Sequence, residues 1–179
     1  MRIVGGIYKG RILNSFKGEE VRPTADKVRE SLFNILQFNI QDRVFLDLFC
    51  GTGAVGIEAL SRGAKRVVFN DLSKESVLLT KGNLKKLGIT ESVQVFNQNA
   101  LTYLKTTTEK FDIIFIDPPY KENLYVNALE LVNGVLADDG LVIIEDEKPF
   151  NEEIEDLEII DRRKYGRVHL TFFKRKQND

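Results

Sequence analysis

Short apolar runs alternate with stretches of helical spacing through the middle of the chain. The runs are rich in β-branched and aromatic residues and nearly continuous in apolar character, as in parallel strands covered on both faces. They predict strands over residues 44–50, 66–71, 92–97, 111–117 and 141–145, and helices over 54–62, 74–87 and 124–136. This alternation predicts an α/β fold built on a parallel sheet.

The two ends of the chain carry different patterns. Residues 2–14 contain paired glycines between short apolar flanks, which predicts a small N-terminal β-hairpin. Pro23 and Thr24 predict a helix over 25–38 with Thr24 as its cap. Residues 157–164 and 167–174 predict an antiparallel pair that closes a seven-stranded sheet. We therefore expect a hairpin extension over 1–23 and the main domain over 24–179.

The composition excludes several classes of protein. Among 179 residues there are one cysteine, Cys50, and one histidine, His169, which excludes an intramolecular disulfide and a Cys-rich zinc site. We expect no bound metal. No run approaches the roughly 20 apolar residues of a membrane span, and residues 1–10 do not resemble a secretory signal. These features predict a reduced, cytoplasmic compartment and no membrane partner.

The charge is unevenly distributed. The formal net charge of −1 argues by itself against a general nucleic-acid binder. Residues 145–161 carry nine acidic residues and one lysine, whereas residues 162–176 carry seven Lys or Arg and no acid. We interpret the acidic run over 145–158 as a solvated edge, or as one that repels wrongly placed RNA. Residues 1–36 are also basic on balance. Basic patches at both ends are compatible with an anionic partner.

A glycine motif follows the first predicted strand and opens a helix. Gly51, Gly53 and Gly56 fit G-x-G-x-x-G. Asp71 ends the next strand, where an acid suits hydrogen bonding to ribose hydroxyls. The arrangement predicts a nucleoside-cofactor site. Asp47 lies four residues before the first glycine, where it would repel a pyrophosphate but attract the cationic amino-acid end of S-adenosylmethionine, so a methyl donor is favoured over a dinucleotide.

The sequence Asp117-Pro118-Pro119-Tyr120 follows a predicted strand, at the sheet edge where ligands bind in this architecture. The lone pair of a nucleobase amine is delocalised into the ring, so the amine must be held in line with the methyl group. Asp117 and the Pro118 carbonyl can each accept one N–H, while Tyr120 can stack on an extruded base. The motif therefore predicts a site for a target amine.

These motifs together resemble class I S-adenosylmethionine-dependent methyltransferases. The segments RIVGGIYKGRIL at 2–13, RPTADKVRESLFNIL at 22–36 and DLFCGTGAVGIEALSRGA at 47–64 narrow the resemblance, over nearly the whole chain, to the bacterial small-subunit rRNA guanine-N2 methyltransferase family (the RsmD type). The resemblance implies a Rossmann-like sheet of seven mostly parallel strands with an antiparallel last strand. It also implies N2 methylation of one guanine in 16S rRNA, on an assembled or assembling small subunit.

The resemblance further assigns residues to the cofactor, S-adenosylmethionine, and its product S-adenosylhomocysteine. The methionine part would lie at Asp47, Phe49, Gly51, Thr52 and Gly53, the ribose at Asp71, and the adenine beside Leu72, Asn99 and Ala100. Many class I enzymes have an acid at the position of Asn99, which carries no charge. Residues 117–120, Asp117, Pro118, Pro119 and Tyr120, would form the target-amine site.

Several basic residues are predicted to contact RNA. If the sixth strand runs parallel to the others, its turn into the last strand lies beside Asp117, which favours contacts from Lys164 and Arg167. A second group would come from the N-terminal segment: Arg2, Lys9, Arg11, Arg22 and Thr24. We interpret Cys50 and His169 as structural residues. We expect a monomer.

Other functions stay open. A DNA adenine amino-methyltransferase shares the Asp-Pro-Pro-Tyr motif, although 179 residues leave no room for a sizeable DNA-recognition domain. A dinucleotide-dependent oxidoreductase accounts for the glycine motif but leaves Asp47 and Asp117 unexplained. A noncatalytic RNA-binding module would not need Asp117 and Gly51 intact.

Overall fold

The computed structural model describes residues 1–18, 23–119 and 122–177. In these ranges the strands are β1 (Val44–Asp47), β2 (Arg66–Asp71), β3 (Val93–Asn97), β4 (Phe111–Ile116), β5 (Leu136–Asp146), β6 (Leu157–Tyr165) and β7 (Val168–Arg175). The helices are α1 (Pro23–Leu36), α2 (Ala54–Ser61), α3 (Lys74–Lys86), α4 (Ala100–Thr106) and α5 (Glu122–Val132). No helix in the described ranges is long and apolar enough to cross a membrane.

All seven strands form one sheet in the order β3-β2-β1-β4-β5-β7-β6. Strands β1 to β5 are parallel, and β7 is antiparallel to both β5 and β6, so β6 runs parallel to β5. The predicted fold is therefore confirmed. The strand order reverses between β1 and β4, and ligands bind at such a switch point in open α/β sheets. We call the edge where the parallel strands end the carboxyl edge, and the opposite one the amino edge.

Helices cover both faces of the sheet. Helices α1, α2 and α3 pack on one face, around fully buried rings such as Phe45 and Phe69. Helices α4 and α5 pack on the other face against Leu46, Val68 and Ile114. Burying each such side chain contributes about 1.5–3 kcal/mol to the free energy of folding. Because side chains alternate between the two faces of a strand, neighbouring residues of one strand pack into opposite helix layers. This three-layer packing fixes the strand ends relative to one another.

Several predicted boundaries differ from the structure, and one helix was not predicted. Helix α1 begins at Pro23, so Thr24 lies within its first turn and is not its cap. Proline suits the first helical position because that position needs no N–H donor. Leu136 begins β5 and does not end a helix. Helix α4 escaped prediction because it has only seven residues and buries three, Ala100, Tyr103 and Leu104.

The N-terminal segment forms a turn fastened by few backbone bonds. Ile3 N donates to Arg11 O at 2.9 Å and Gly10 N donates to Ile3 O at 2.8 Å, with a bridge between Arg2 and Ile12 in place of a regular ladder. Ile3 and Leu13 are buried in the same core as α1 and α2. The boundary at residue 23 stays a prediction.

A buried ionic network joins this segment to α1 and α2. The carboxylate of Glu58 is inaccessible to solvent and accepts a hydrogen bond from Val4 N at 2.9 Å. It pairs with Arg62 Nε at 2.8 Å and with Arg29 Nε at 3.5 Å. Removing one partner of such a buried pair typically costs 3–5 kcal/mol, so the network anchors the N-terminal segment beside the glycine turn.

Candidate active site

The glycine turn between β1 and α2 depends on the absence of side chains. Gly51 and Gly53 have φ of 52° and 78°, in the left-handed region that favours glycine. A Cβ on Gly53 would lie 2.8 Å from Thr80 Cγ2, and one on Gly56 would lie 2.3 Å from Phe69 Cε1. The motif thus brings α2 close against β2 and leaves the turn open at the carboxyl edge.

Asp47 lies directly beneath this turn, with 1% of its surface exposed. Its Oδ2 accepts a hydrogen bond from Gly56 N at 2.9 Å, near the N-terminus of α2. Burial raises the pKa of Asp47 to about 7; the bond from Gly56 opposes this shift and the charge of Asp71 adds to it. No described residue donates to the other oxygen, so a cationic ligand group would compensate this carboxylate.

Asp71 is fixed by backbone amides at the end of β2. Its Oδ2 accepts from Gly51 N at 2.9 Å and its Oδ1 accepts from Ser73 N at 2.8 Å. Each carboxylate oxygen has a second lone pair, so the group can also accept vicinal ribose hydroxyls. The same contacts tie the glycine turn to β2.

Two asparagines that the sequence patterns did not single out support this edge. Asn97 Nδ2 donates to the carbonyls of Asp71 and Leu72, at 3.0 and 2.9 Å. Fully buried Asn70 donates from Nδ2 to Leu48 O at 3.2 Å and to Gln98 O at 3.1 Å, and so joins the ends of β1 and β3. A polar residue at the end of an apolar strand is the signal that could have found both.

The predicted adenine residues line the edge beyond β2 and β3. Leu72 is 70% exposed, which suits an apolar platform for a planar ring. Asn99 caps α4, because its Oδ1 accepts from Thr102 N at 3.1 Å, and Ala100 is buried as the first residue of that helix. Phe49 is half-buried, and Thr52 is buried with its hydroxyl 3.5 Å from Met1 Sδ. Their cofactor contacts stay predictions.

Asp117 and Glu145 lie side by side where β4 and β5 end. Ile116 pairs with Ile144, and Asp117 and Glu145 are the residues that directly follow them, so the two acids are neighbours across the two strands. Loss of hydration and the nearby carboxylates of Glu145, Asp47 and Asp146 raise the pKa of Asp117 well above its usual value. Asp117 is nonetheless accessible at the surface, so a ligand can reach its carboxylate.

The sequence pattern groups Glu145 with the solvated acidic run, and the structure corrects this prediction. Its side chain is half-buried, and burial raises its pKa to about 7, opposed by the positive charge of Arg29. Within the described part of the chain, neither the Glu145 nor the Asp117 carboxylate accepts a hydrogen bond or forms an ion pair. Pro118 is buried and Pro119 is exposed, directly after β4.

The basic residues divide between the two edges of the sheet. Lys164 and Arg167 are exposed at the β6–β7 turn, which lies at the carboxyl edge because β6 is parallel to β5. Arg2 is exposed 3.9 Å from Asp26 of α1. Lys9 and Arg11 belong to a turn that bonds to Ser61 at the far end of α2, so they do not lie beside Asp117. Tyr120, Arg22 and the Thr24 side chain lie outside the described residues.

Cys50 is unsuited to covalent catalysis. Its side chain is buried, with Sγ 3.5 Å from Thr80 Oγ1. Burial and the charge of Asp47 raise the pKa of the thiol, which keeps it protonated. Reactive cysteines need the opposite environment, so the interpretation of Cys50 as a small buried residue agrees with the geometry.

A separate cavity of about 220 Å³ lies at the amino edge between α1 and the sheet, with Arg43 and Asp112 in its lining. Both residues stand at the start of their strands, a strand length from Asp117.

Among the described residues, no three His, Cys, Asp or Glu side chains are grouped as a metal ion would require.

Known proteins resemble this chain over most of its length. The model of the family described as "Conserved hypothetical protein 95" matches residues 1–174. "Ribosomal RNA small subunit methyltransferase D" of Haemophilus influenzae is 40% identical over 83% of this chain and 79% of its own length. A protein of Bacillus subtilis, described as a candidate rRNA methyltransferase, is 36% identical over 98% of this chain and 100% of its own.

The fold has a close match among solved structures. An Escherichia coli protein described as a candidate methyltransferase superposes with a TM-score of 0.87 at 30% identity, covering 99% of both chains. The matched segments include the glycine turn and residues 117–119, on which the sequence resemblance rests. The chain therefore belongs to the Conserved hypothetical protein 95 family, the small-subunit rRNA methyltransferase family that its motifs resemble.

Proposed function

We propose that this protein transfers a methyl group from S-adenosylmethionine to the exocyclic N2 amine of a guanine in small-subunit rRNA. The observation that carries the proposal is the position of Asp117 and Pro118. They follow β4 directly beside the glycine turn of β1, and the Asp117 carboxylate has no partner among the described residues. An amine held there faces the cofactor side of the same edge.

The cofactor residues favour a methyl donor over a dinucleotide. Asp47 presents a buried carboxylate under the turn, where a pyrophosphate would normally lie on the helix N-terminus. A second negative charge would be repelled there, whereas the ammonium of S-adenosylmethionine is attracted. When bound, S-adenosylmethionine supplies an electrophilic methyl group and leaves as S-adenosylhomocysteine.

The residues after β4 would align the amine. Asp117 accepts one N–H of the target amine and the Pro118 carbonyl accepts the other, which turns the nitrogen lone pair toward the methyl carbon. The methyl group that S-adenosylmethionine would supply would then pass from sulfur to this nitrogen. The extra proton leaves the nitrogen afterwards, so Asp117 acts by orientation and charge and need not be a strong base.

The RNA would lie across the carboxyl edge. Exposed Lys164 and Arg167 stand at the β6–β7 turn, on the β5 side of Asp117. Few cations among the described residues lie close to the site, so we propose that recognition also uses the shape of an assembled or assembling small subunit. We further propose that the protein acts as a monomer in the bacterial cytoplasm. The H. influenzae relative is named for small-subunit rRNA, which supports this substrate class.

The test is tritium transfer from labelled S-adenosylmethionine to small subunits that lack the modification. We expect label in 16S rRNA with the wild type and with Glu158→Gln, a change in an exposed acid at the amino edge, and labelling about 10²- to 10³-fold slower with Asp117→Asn. Duplex DNA as substrate and titration with NADH serve as further arms. Label in DNA adenine, or binding of NADH in place of S-adenosylhomocysteine, would overturn the proposal.

A further inference from the structure

Glu145 places a second free carboxylate beside the proposed target-amine site. Ile116 and Ile144 are paired in a parallel ladder, and neighbouring strands lie about 4.8 Å apart. The next residues along the two strands, Asp117 and Glu145, are therefore neighbours at the carboxyl edge. The proposed alignment of the amine uses Asp117 and leaves Glu145 without a role.

The strand end that carries Glu145 is fixed, although its carboxylate is free. The Glu145 carbonyl accepts a hydrogen bond from Tyr125 Oη at 2.7 Å. Glu145 pairs across the ladder with Leu170 of β7, whose side chain is buried. In the residues that the structure describes, nothing donates to the carboxylate oxygens. The group is thus positioned by its backbone and available to a ligand.

Arg29 does not neutralise Glu145 by direct pairing. Its guanidinium donates to Asp26 Oδ1 at 2.9 Å and to the Arg2 carbonyl, and its Nε lies 3.5 Å from Glu58 Oε2. These contacts hold the cation behind the site, on α1. Its field favours the ionised form of Glu145 without occupying the carboxylate.

We propose that Glu145 accepts the N1–H of the target guanine and so selects guanine at this site. The inference rests on the proposed function. Guanine carries N1–H next to its N2 amine, so two adjacent acceptors on neighbouring strands match two adjacent donors on one base edge. A purine whose N1 is unprotonated would instead turn a lone pair toward the carboxylate, which is repulsive.

The analogue 2,6-diaminopurine separates this role from general support of the site. It keeps the exocyclic 2-amine that receives the methyl group, but its N1 is an acceptor. Once the target position is mapped, small subunits can be reconstituted with guanine or 2,6-diaminopurine at that position. Single-turnover rates at pH 8 then compare wild type, Glu145→Gln and the control Glu158→Gln.

We expect the single-turnover rates of wild type and Glu158→Gln to be about 100-fold higher on guanine than on 2,6-diaminopurine. The analogue loses one hydrogen bond to Glu145 and turns the lone pair of its N1 toward the carboxylate, which is repulsive. Glu145→Gln should lose at least about 30-fold on guanine and little on diaminopurine, because the new amide can donate to N1. The preference should then fall by at least tenfold. The dissociation constant of S-adenosylhomocysteine should stay within twofold, which shows an intact fold.

Equal losses on both bases in Glu145→Gln, or no loss on guanine, would overturn the assignment of Glu145 while the proposed function stood. Failure of the wild type to methylate guanine at all would overturn the proposed function, and the inference with it. The two failures are distinguished by the wild-type reaction on guanine alone.

Discussion

The two halves of the carboxyl edge differ in the hydrogen bonds that their carboxylates accept. In the cofactor half, at the ends of β1 and β2, Asp47 accepts from Gly56 N and Asp71 accepts from Gly51 N and Ser73 N. In the base half, at the ends of β4 and β5, no described residue donates to the side-chain carboxylate of Asp117 or Glu145. In the cofactor half, backbone amides already fix the carboxylates, whereas in the base half the carboxylates are available to N–H donors of a substrate.

This difference has an energetic consequence. Burial raises the pKa values of Asp47, Asp117 and Glu145, and nearby carboxylates raise those of Asp47 and Asp117 further, so each charge opposes folding at neutral pH. Functional sites commonly retain such unfavourable groups, which the surrounding fold stabilises. The variants below separate the two halves, in order of decreasing effect.

The largest effect should come from Asp117→Asn in the base half. The amide keeps the volume but directs an N–H toward the target amine, which removes one of its two acceptors. Methyl transfer should fall by about 10²- to 10³-fold while the dissociation constant of S-adenosylhomocysteine stays within twofold. Single-turnover transfer and calorimetric titration measure the two quantities, and Glu158→Gln should change neither. A variant that kept full transfer would refute the assignment.

The matching change in the cofactor half is Asp71→Ala. It removes both backbone contacts that tie the glycine turn to β2, together with the proposed acceptor for ribose. We expect S-adenosylhomocysteine to bind about 30- to 100-fold more weakly, since contacts to a charged acceptor are worth about 1.5–3 kcal/mol. Titration calorimetry measures this. Unchanged affinity with slower transfer would place Asp71 in the base half.

The buried charge of Asp47 should appear in the pH dependence of stability. The folded protein keeps the Asp47 proton up to about pH 7, whereas the unfolded chain loses it near 3.8. The folded state therefore binds more protons in this window, and the free energy of unfolding should fall as pH rises from about 4 to 7. Glu145 adds a contribution of the same sign.

The variant Asp47→Asn tests this directly. It should flatten that slope and raise the free energy of unfolding at pH 8 by about 1–3 kcal/mol, while it weakens S-adenosylmethionine binding. Urea unfolding at several pH values, without ligand, gives the comparison. A variant that was less stable than wild type at pH 8 would show that the ionised carboxylate stabilises the turn.

The smallest effect should come from the basic turn beside the base half. The double variant Lys164→Ala, Arg167→Ala should raise KM for the small subunit about 3- to 10-fold and leave kcat unchanged, because exposed cations contribute binding energy alone. Its dependence on salt should also be less steep. Lys65→Ala, an exposed lysine at the amino edge, is the matched control. If Lys65→Ala raised KM as much as the double variant does, the β6–β7 turn would have no specific part in the RNA interface.

Part of this comparison was open to prediction from the sequence. Apolar runs locate buried strands, and Asp71 and Asp117 each stand where such a run ends, so two carboxylates at one edge were predictable. Asp47 lies inside the run predicted over 44–50, and the structure ends β1 at this residue. The turn at Gly51 and Gly53 was equally predictable, because the G-x-G-x-x-G spacing is visible in the sequence and their positive φ values favour glycine.

The remaining features depend on which strands are neighbours. Glu145 belongs to an acidic run along the chain, and only the β4–β5 pairing puts it beside Asp117. The contacts of Asn70 and Asn97 join separate strand ends, which no local pattern encodes. Lys9 and Arg11 are near the start of the chain, yet the turn that carries them lies against the far end of α2.

The most direct measurement is the identity of the methylated nucleoside. Small subunits that lack the modification are treated with the protein and S-adenosylmethionine, and the 16S rRNA is digested and analysed by mass spectrometry. We predict N2-methylguanosine at a single position, formed as fast with Glu158→Gln and about 10²- to 10³-fold more slowly with Asp117→Asn. A methylated adenine or pyrimidine, or N2-methylguanosine formed equally by Asp117→Asn, would contradict a base half built around Asp117.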